Sequence, residues 1–378
     1  MLMDNISNQH IQNSKIQILL IFILTISTFV LAIFALGMGS SSNLDFFTTL
    51  KIVLGIEEPT DLQSDIIWKL RFPRILMAVV GGIALATAGA LMQGCLGNPL
   101  VSPLTLGVAS GAALGAALAI VMDFSIAPHL EYSLGFFGLV PGFSIFGFFP
   151  VDFILFYADS LAIIVNAFLF SLIVVAIIIQ LGNFRSVSAE SYILVGIAIT
   201  FIAGAIVSTM QYFASDAQLS QLAHWSFGSL SRPTLGDSAL ITIFVIILMP
   251  YAIIRAWDLN TLSLGGDDFA ISTGVDPKVT RKNILILSAL MTSIVIAFTG
   301  LIGFLGLAAP HMSRLIVGND YRKLIPCSAV FGSLLMLLAD TVGRTLFAPI
   351  IIPVGIMLSI LGGPFFMYLL LRNRNGGF

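Results

Sequence analysis

Apolar runs of about 20 residues, the length that crosses a lipid bilayer as a helix, recur along this chain between short polar segments. The stretch 133–157 is also apolar, but Pro141, Pro150, Asp152 and repeated glycines favour a loop or a hairpin on the membrane surface. We therefore expect an all-α polytopic membrane protein with about ten transmembrane helices in a single domain, 1–378. The pattern predicts helices near 16–38, 74–96, 104–122, 159–181, 191–213, 237–256, 283–307, 324–347 and 353–371, with a half-helix at 311–317.

Composition agrees with a membrane protein. Of the 378 residues, 58% are apolar and only 10% are charged, and the mean hydropathy of +1.03 lies outside the range of soluble domains. The net charge of -2 argues against nucleic acid as a partner, because nucleic acid would need a basic surface. Cys95 and Cys327 end separate apolar runs, and we interpret them as unpaired buried thiols.

Lysine and arginine positions orient the chain, since positive charge is retained on the cytoplasmic side. With ten crossings and the N-terminus inside, eleven of the 17 Lys and Arg residues fall inside and six outside. Counting 133–157 as a crossing would move the basic cluster at 278–282 to the outside. We therefore expect a multi-pass protein of the plasma or inner membrane, with both termini in the cytoplasm and residues 1–15 as a cytoplasmic leader.

Two successive helices carry small residues every four positions along one face. Packing holds membrane helices together, so such faces let two backbones approach closely. The helix-breaking turn GNPLVSP lies between the two helices, and we predict that they form a close-packed pair in a moving transport core. The small residues are Gly82, Ala86, Ala90 and Gly94 in the first helix, and Gly107, Gly111 and Gly115 in the second.

Known catalytic patterns are missing from the sequence. It has no GxxxxGK[ST] loop to cradle a nucleotide, and it lacks the HExxH and GxSxG motifs of two hydrolase classes. The four histidines lie in different loops, which argues against a shared metal site. We therefore expect no catalytic residue, no metal and no cofactor in this chain, and an intramembrane hydrolase is disfavoured.

Three arginines lie near the predicted outer ends of helices. Arg71 and Arg74 flank Pro73, and they either snorkel to the interface or stay exposed to pair with the carboxylates of a partner. Arg344 follows Asp340 by four residues, which favours an ion pair within the membrane and leaves a guanidinium near the outer surface. Membrane acids are otherwise scarce, so a secondary transporter with its own coupling ion is the weaker alternative.

The longest polar segment on the predicted inner side is 258–282. The segment is amphipathic and helix-like in the stretch LGGDDFAISTGVDPKVTRK, with Gly274 as a helix stop and Pro277 beyond it. The segment is either an ordinary solvated connector or a docking helix for a cytoplasmic partner, and the residues themselves support both interpretations equally.

Ordered motifs from Leu70 to Arg372 resemble the FecCD group of ABC-transporter permeases, which import iron-siderophore complexes, haem and cobalamin. They include RFPR, GALMQG, NPLVSPLTLGVASGAALG, WSFGSLS, LSLGGDDFAISTGV, GLIGFLGLAAPHMSRLIVG and LLADTVGRTL. The resemblance implies the type II ABC importer permease fold and a homodimer. It also implies two cytoplasmic ATPase subunits, which bind ATP and Mg, and an external substrate-binding protein. It favours an iron-siderophore as the substrate over haem, cobalamin or an oxyanion only because iron-siderophores are the more frequent substrates in the family.

The same resemblance implies roles for residues at matching positions. Arg71, Arg74 and Arg344 match the outer arginines that meet acidic residues of the binding protein. The residues that match the inner gate are Asn98, Leu100, Ser186 and Ser188. The residues that match the coupling segment, which sits in a groove of the ATPase, are Ser263, Leu264, Gly265, Asp267, Asp268, Ala270 and Gly274.

Two features depart from the family pattern. Gly97 stands before Asn98, where many relatives have arginine, so the inner turn lacks that charge. The segment 123–159 contains nine phenylalanines where relatives have a short outer loop. We interpret this segment as an interfacial hairpin on the outer face, near the landing site of the binding protein, with its apolar face in the lipid headgroup region.

Overall fold

The computed structural model describes residues 2–39, 44–126, 158–185 and 189–372. Within these ranges the chain forms helices and connecting turns, without a strand. The elements of the first half are α1 (Leu2–Gly37), α2 (Phe46–Val53), α3 (Asp61–Asp65), a π-helical turn (Ile66–Arg71), α4 (Phe72–Cys95), α5 (Val108–Met122), α6 (Ala158–Arg185) and α7 (Ala189–Phe213).

Seven of the described helical segments are long and apolar enough to cross a membrane, and two shorter apolar helices, Val108–Met122 and Val354–Pro364, accompany them. Together with the half-helix α12 they match the ten membrane segments expected from the sequence, so the predicted all-α polytopic fold is confirmed. The elements of the second half are α8 (Asp216–Ser226), α9 (Leu235–Ile254), α10 (Ala256–Ser272), α11 (Pro277–Thr299), α12 (Leu305–Val317), α13 (Tyr321–Thr345) and α14 (Val354–Arg372).

One predicted helix, 283–307, is in fact two. Helix α11 ends directly before Gly300, whose φ of 78° is incompatible with a continuing helix. The chain starts again as α12, which is longer than the half-helix predicted at 311–317. Pro310 lies inside α12 rather than breaking it. The helix break is therefore set by the glycine and not by the proline.

Helices form or adjoin two segments that the sequence singled out, the predicted leader 1–15 and the Phe-rich segment 123–159. Helix α1 begins at Leu2, so the helix runs through the predicted leader 1–15. The Phe-rich segment 123–159 lies outside the described residues except at its two ends. At the first of these ends, the Asn166 side chain donates a hydrogen bond to the carbonyl oxygen of Phe124 and accepts one from the Ile126 amide at 3.1 Å.

Helix α4 lies at the centre of the fold and packs against α9, α11, α12 and α13. Its small residues allow these approaches. A Cβ added to Gly82 would lie 2.6 Å from the Cα of Ser333 in α13, and Ala86 and Ala90, on the same face, are fully buried. A Cβ on Gly94 would lie 2.7 Å from the ring of Tyr321. The small face of α4 is thus filled by α13 along most of its length.

The predicted close packing of α4 against α5 is wrong. In the described structure α5 packs mainly against α6 and α7. A Cβ on Gly111 would lie 2.8 Å from the carbonyl oxygen of Phe170, and one on Gly115 would overlap the carbonyl oxygen of Asn166. Gly107 precedes α5 with a φ of 97°. Small-residue spacing marks a face for close packing, but it does not identify the partner helix.

Candidate functional site

Two of the three arginines predicted for docking, Arg74 and Arg344, contact a single buried carboxylate. Arg74 Nε lies 2.7 Å from Asp340 Oδ1, and Arg344 Nε lies 3.2 Å from Asp340 Oδ2. The ion pair predicted from the four-residue spacing of Asp340 and Arg344 is therefore present. Arg74 Nη1 also donates a hydrogen bond to the hydroxyl of Ser231 at 2.5 Å. This cluster joins α4, α13 and the loop before α9.

Two of these arginines also hold the C-terminal end of α1. Arg71 Nη1 donates to the carbonyl oxygen of Leu36 at 2.9 Å, and Arg344 donates to those of Ala35 and Met38 at 3.0 and 3.2 Å. The last carbonyl groups of a helix have no partner inside the helix and lie at the negative end of its dipole. The guanidinium groups therefore provide hydrogen-bond donors for the last carbonyl groups of α1, and they connect this helix to the rest of the fold.

Of the two interpretations given for Arg71 and Arg74, the one in which they stay exposed is wrong for this chain. Arg71 and Arg74 are each 5% exposed and Arg344 is 6% exposed, because a buried carboxylate and the free carbonyl groups of α1 lie within reach of their side chains. Arg74 Nη2 has no hydrogen-bond partner among the described residues. Arg74 and Arg344 bring two positive charges to one carboxylate, and the charge of Arg71 acts on Arg344, so the cluster is positively charged. Docking to an acidic partner remains a prediction.

Arg232 has a structural role that the sequence did not reveal. Its guanidinium donates to the carbonyl oxygens of His224, Trp225 and Thr299, the last at 3.3 Å. Burial lowers the pKa of this guanidinium. Arg232 thereby joins the ends of α8 and α11. Its place in a short loop that is predicted to lie outside, where cations are few, was the available signal in the sequence.

The turn after α4, which contains the predicted inner gate, has a defined backbone. Gly97 adopts a φ of 59°, and the side chain of Asn98 accepts a hydrogen bond from the Leu100 amide at 2.9 Å. Leu100 is 59% exposed, which is compatible with a side chain that closes a path. Ser186 and Ser188, the other predicted gate residues, lie outside the described residues. The gate itself remains a prediction.

The predicted coupling segment forms two half-helices within α10. Gly266 separates them with φ 69° and ψ -159°, a conformation that is essentially restricted to glycine. We call residues 256–265 the first half and 267–272 the second half. Gly274, with a φ of 86°, follows the end of α10, and Pro277 opens α11 after Asp276 has capped it. The helix stop predicted at Gly274 is therefore correct.

The first half is anchored to the start of α13. Asn260 Nδ2 donates to Asp320 Oδ1 at 2.8 Å, and the Tyr321 amide donates to Asn260 Oδ1 at 2.8 Å. The Arg322 guanidinium lies 4.4 Å from the centre of the Trp257 ring, in cation–π geometry. Hydrogen bonds from Arg322 lower the pKa of Asp320 to about 2, and the bond from Asn260 acts in the same direction.

The second half is anchored to α11 and, through it, to α4. Arg281 Nη1 and Nη2 donate to the two carboxylate oxygens of Asp267 at 2.8 and 2.5 Å. Arg281 Nε donates at 3.0 Å to the carbonyl oxygen of Cys95, the last residue of α4. Sequence reasoning missed Arg281 because its partners are 14 and 186 positions away.

The predicted coupling residues differ in how accessible they are. Leu264 is 78% exposed. Ala270 is fully buried in this chain, so it supports the second half rather than meeting a partner directly. Asp267 is partly exposed and already paired with Arg281. The exposed members of the predicted set are Ser263, Leu264, Gly265, Asp268 and Gly274.

Comparison with known proteins agrees with this geometry. The model of the FecCD transport family matches residues 23–372. The ABC transporter permease protein MJ0087 of Methanocaldococcus jannaschii is 38% identical, over 95% of this chain and 96% of that protein. The hemin transport system permease protein HmuU of Yersinia pestis is 36% identical, over 91% of this chain and 93% of that protein.

A solved structure has the same fold. It is described as an inward-facing conformation of a metal-chelate type ABC transporter, and it superposes with a TM-score of 0.75 at 27% identity, covering 93% of this chain and 99% of that one. The family match spans far more than half of the chain. The chain therefore belongs to the FecCD transport family, and it is a membrane-spanning permease subunit of an ABC importer rather than an enzyme.

Proposed function

We propose that this permease forms half of the transport path of an ATP-driven importer, which takes up a metal chelate delivered by an external binding protein. The observation that carries the proposal is the physical link between the coupling segment and the turn after α4. Leu264 at one end of this link is open to a partner, and the predicted gate residues Asn98 and Leu100 lie beyond the other end, next to Cys95.

Separate subunits are proposed to supply the energy. The chain has no phosphate-binding loop, so ATP and Mg would be bound by two cytoplasmic ATPase subunits. Helix α10 exposes three large apolar side chains in the coupling segment: Leu264, Phe269 and Ile271. Exposed apolar groups on a polar segment favour a protein partner with an apolar groove. This supports the interpretation of the segment as a docking helix rather than a solvated connector.

A second copy of the chain is proposed as the other half of the path. Helix α7 is largely unburied within this chain. A Cβ on Gly204 would meet no atom within 4 Å, and Ser208 and Gln211 are exposed nearby on the same helix. Small and polar residues are typical of contacts between membrane helices and are unfavourable against lipid. This supports a homodimer with α7 at the interface between the copies.

The binding protein is proposed to dock over the positively charged cluster of Arg71, Arg74 and Arg344. Acidic side chains of that protein would pair with these guanidinium groups, of which Arg74 Nη2 is buried and has no hydrogen-bond partner among the described residues. Docking would then require a small opening of the outer end of α1, because Arg71 and Arg344 hold the carbonyl groups of that end.

The substrate is proposed to be a metal chelate such as an iron-siderophore, haem or cobalamin. The hemin permease among the relatives and the metal-chelate type of the solved structure support this class. A secondary transporter is less well supported. Asp340, which would be its natural proton or ion carrier, is neutralised by Arg74 and Arg344.

Uptake by the reconstituted complex tests the proposal. The permease, its ATPase and its binding protein would be placed in proteoliposomes, and accumulation of an iron-siderophore, haem or cobalamin would be measured with and without ATP and vanadate. We expect uptake of one of these chelates that requires ATP and is blocked by vanadate. Uptake that follows an imposed proton or sodium gradient without the ATPase would refute the proposal in favour of a secondary transporter.

A further inference from the structure

We infer that residues 93–95, the last turn of α4, connect both halves of the coupling segment to the turn that contains the predicted gate. We call these three residues the junction. Arg281 is the positioning residue that connects the second half to this junction. The inference rests on the proposed function, and it adds a route by which movement of the ATPase reaches the gate. Two independent sets of contacts lead to it, one from each half of α10.

The first route starts at Asn260 in the first half. Its side chain binds the backbone amide of Tyr321 at 2.8 Å. The Tyr321 ring packs against Gly94, where an added Cβ would lie 2.7 Å from the ring, and its hydroxyl lies 3.3 Å from Arg314 Nη2. Arg314 Nη1 in turn donates to Gln93 Oε1 at 2.5 Å. The first half is thus connected to residues 93 and 94.

The second route starts at Asp267 in the second half. The bidentate ion pair with Arg281 is charge-assisted and directional, because the planar guanidinium fork matches the two carboxylate oxygens. Arg281 Nε donates to the carbonyl oxygen of Cys95. That carbonyl lies at the negative end of α4, where a cation is favourable. The second half is thus connected to residue 95.

The two routes meet directly before the turn that carries the predicted gate. The backbone amide of Asn98 donates to the carbonyl oxygen of Gln93 at 3.2 Å, so the turn is hydrogen-bonded to the junction itself. Gly266 separates the two halves with a non-helical backbone. The halves can therefore move relative to each other while each remains fixed to its own contact on α4.

Arg281 is suited to transmit movement and not to bind a partner. It is 6% exposed, so an ATPase that docks on the coupling segment would reach Asp267 but would hardly touch Arg281. Replacing arginine with lysine keeps the charge but removes the fork, so one ammonium group cannot hold both carboxylate oxygens and the Cys95 carbonyl. Assembly with the ATPase should then survive while transmission fails.

The test compares Arg281→Lys with the unaltered complex of permease, ATPase and binding protein in proteoliposomes. We expect unchanged amounts of co-purified ATPase, ATP hydrolysis that persists, and about a tenfold fall in substrate transported per ATP, the scale set by losing a hydrogen bond to a charged group. A spin label at the exposed position 100, introduced as Leu100→Cys, should lose most of its response to ATP and vanadate. Cys95 and Cys327 are buried and free, so labelling would be selective.

Asp267→Asn weakens the same ion pair at its partly exposed partner, and it serves as the test if Arg281→Lys does not fold. It is expected to lower transport per ATP in the same way. Asp65→Asn is the matched control, because it breaks an exposed ion pair with Lys69 far from α10. The inference alone is overturned if Arg281→Lys and Asp267→Asn both transport as much substrate per ATP as the unlabelled, unaltered complex and respond, when labelled, like the complex that carries Leu100→Cys alone. ATP-independent uptake by the unaltered complex would overturn the proposed function as well.

Discussion

Asp340 shows how one side chain determines the chemistry of its surroundings. It is fully buried between Arg74 and Arg344. Burying a carboxylate is unfavourable unless cations and hydrogen bonds compensate it, and the two guanidinium groups are just as dependent on the carboxylate. The same contacts draw Arg74 and Arg344 inward, away from the surface where the sequence suggested they would be exposed.

Asp340→Asn should therefore destabilise the protein strongly. It leaves two buried guanidinium groups with no anion, which costs about 3–5 kcal/mol, and the thermal unfolding midpoint in detergent should fall. Asp65→Asn breaks the exposed 2.7 Å pair with Lys69 and should change stability by about 1 kcal/mol or less. Equal midpoints for the two variants would contradict the structural role assigned to Asp340.

The same reasoning changes what charge reversal at Arg74 should do. If Arg71 and Arg74 served docking alone, charge reversal at both would weaken capture of the binding protein and leave folding intact. In the structure, a glutamate at position 74 would lie against the buried carboxylate of Asp340. We now expect folding to suffer first, so a docking experiment is better made with Arg71→Gln, which removes a charge without adding one.

At the scale of elements, the small residues of α4 determine where other helices can pack closely against it. A Cβ on Gly89 would overlap the carbonyl oxygen of Gly306, so the backbones of α4 and α12 are in contact at this point. In a membrane, packing of this kind takes the place of the hydrophobic effect between helices. The half-helix α12 depends on this contact for its position beside α4.

Gly89→Ala should therefore push α4 and α12 apart. We expect a destabilisation of about 1–3 kcal/mol from overpacking, measured as a lower thermal unfolding midpoint in detergent. Gly363→Ala is the control, since an added Cβ there meets no atom within 4 Å and the residue lies in α14. The close contact would be refuted if Gly89→Ala were as stable as Gly363→Ala.

The contact between α10 and α13 should depend on pH. Asp320 has a pKa lowered to about 2 from its ordinary value of 3.8. A carboxylate whose pKa is lower in the folded state stabilises that state above its unfolded pKa, and the contribution is lost as the pH falls through the folded pKa. The stabilisation by Asp320 should thus be complete at neutral pH and decline from about pH 4 towards pH 2.

Asp320→Asn gives the corresponding measurement. The difference in thermal unfolding midpoint between the unaltered protein and the variant should be largest near neutral pH and should shrink as the pH is lowered towards 3. Hydrogen exchange in the first half of α10 should rise over the same range, because Asn260 loses an ionised partner. A difference in midpoint that stays constant with pH would contradict this assignment.

At the scale of the whole molecule, the outer cluster and the junction lie at opposite ends of α4. The Arg74 contact with Asp340 lies in its first turn, and the Arg281 contact with Cys95 lies at its last residue. If α4 moves as a rigid helix, a change at one end is felt at the other. This arrangement suits the proposed role of connecting a binding protein on one side of the membrane with an ATPase on the other.

That arrangement depends on the predicted orientation, with both termini in the cytoplasm. A fluorescent protein that matures only in the cytoplasm, fused after residue 378, should give fluorescent cells. Alkaline phosphatase, which is active only outside the cytoplasm, should be inactive at the same fusion point and active when it is inserted after Gly55 in the predicted outer loop. The reverse pattern would invert the positions of the coupling segment and the arginine cluster.

The sequence by itself determined what local patterns encode. Apolar runs determined the helices, because each crossing needs about 20 apolar residues. Four-residue spacing determined the pair of Asp340 and Arg344, which the structure has at 3.2 Å. Gly274 determined the end of α10, because its φ of 86° suits glycine. Motifs over most of the chain identified the family.

Only the tertiary structure decided which distant groups meet. Arg74 and Asp340 are 266 positions apart, and Arg281 and Cys95 are 186 apart, so no local pattern links them. The partner of each small-residue face was also undecided, because many apolar helices in this chain are similar in composition. Side-chain shape and the few buried charges choose among them, and these act only once the helices are packed.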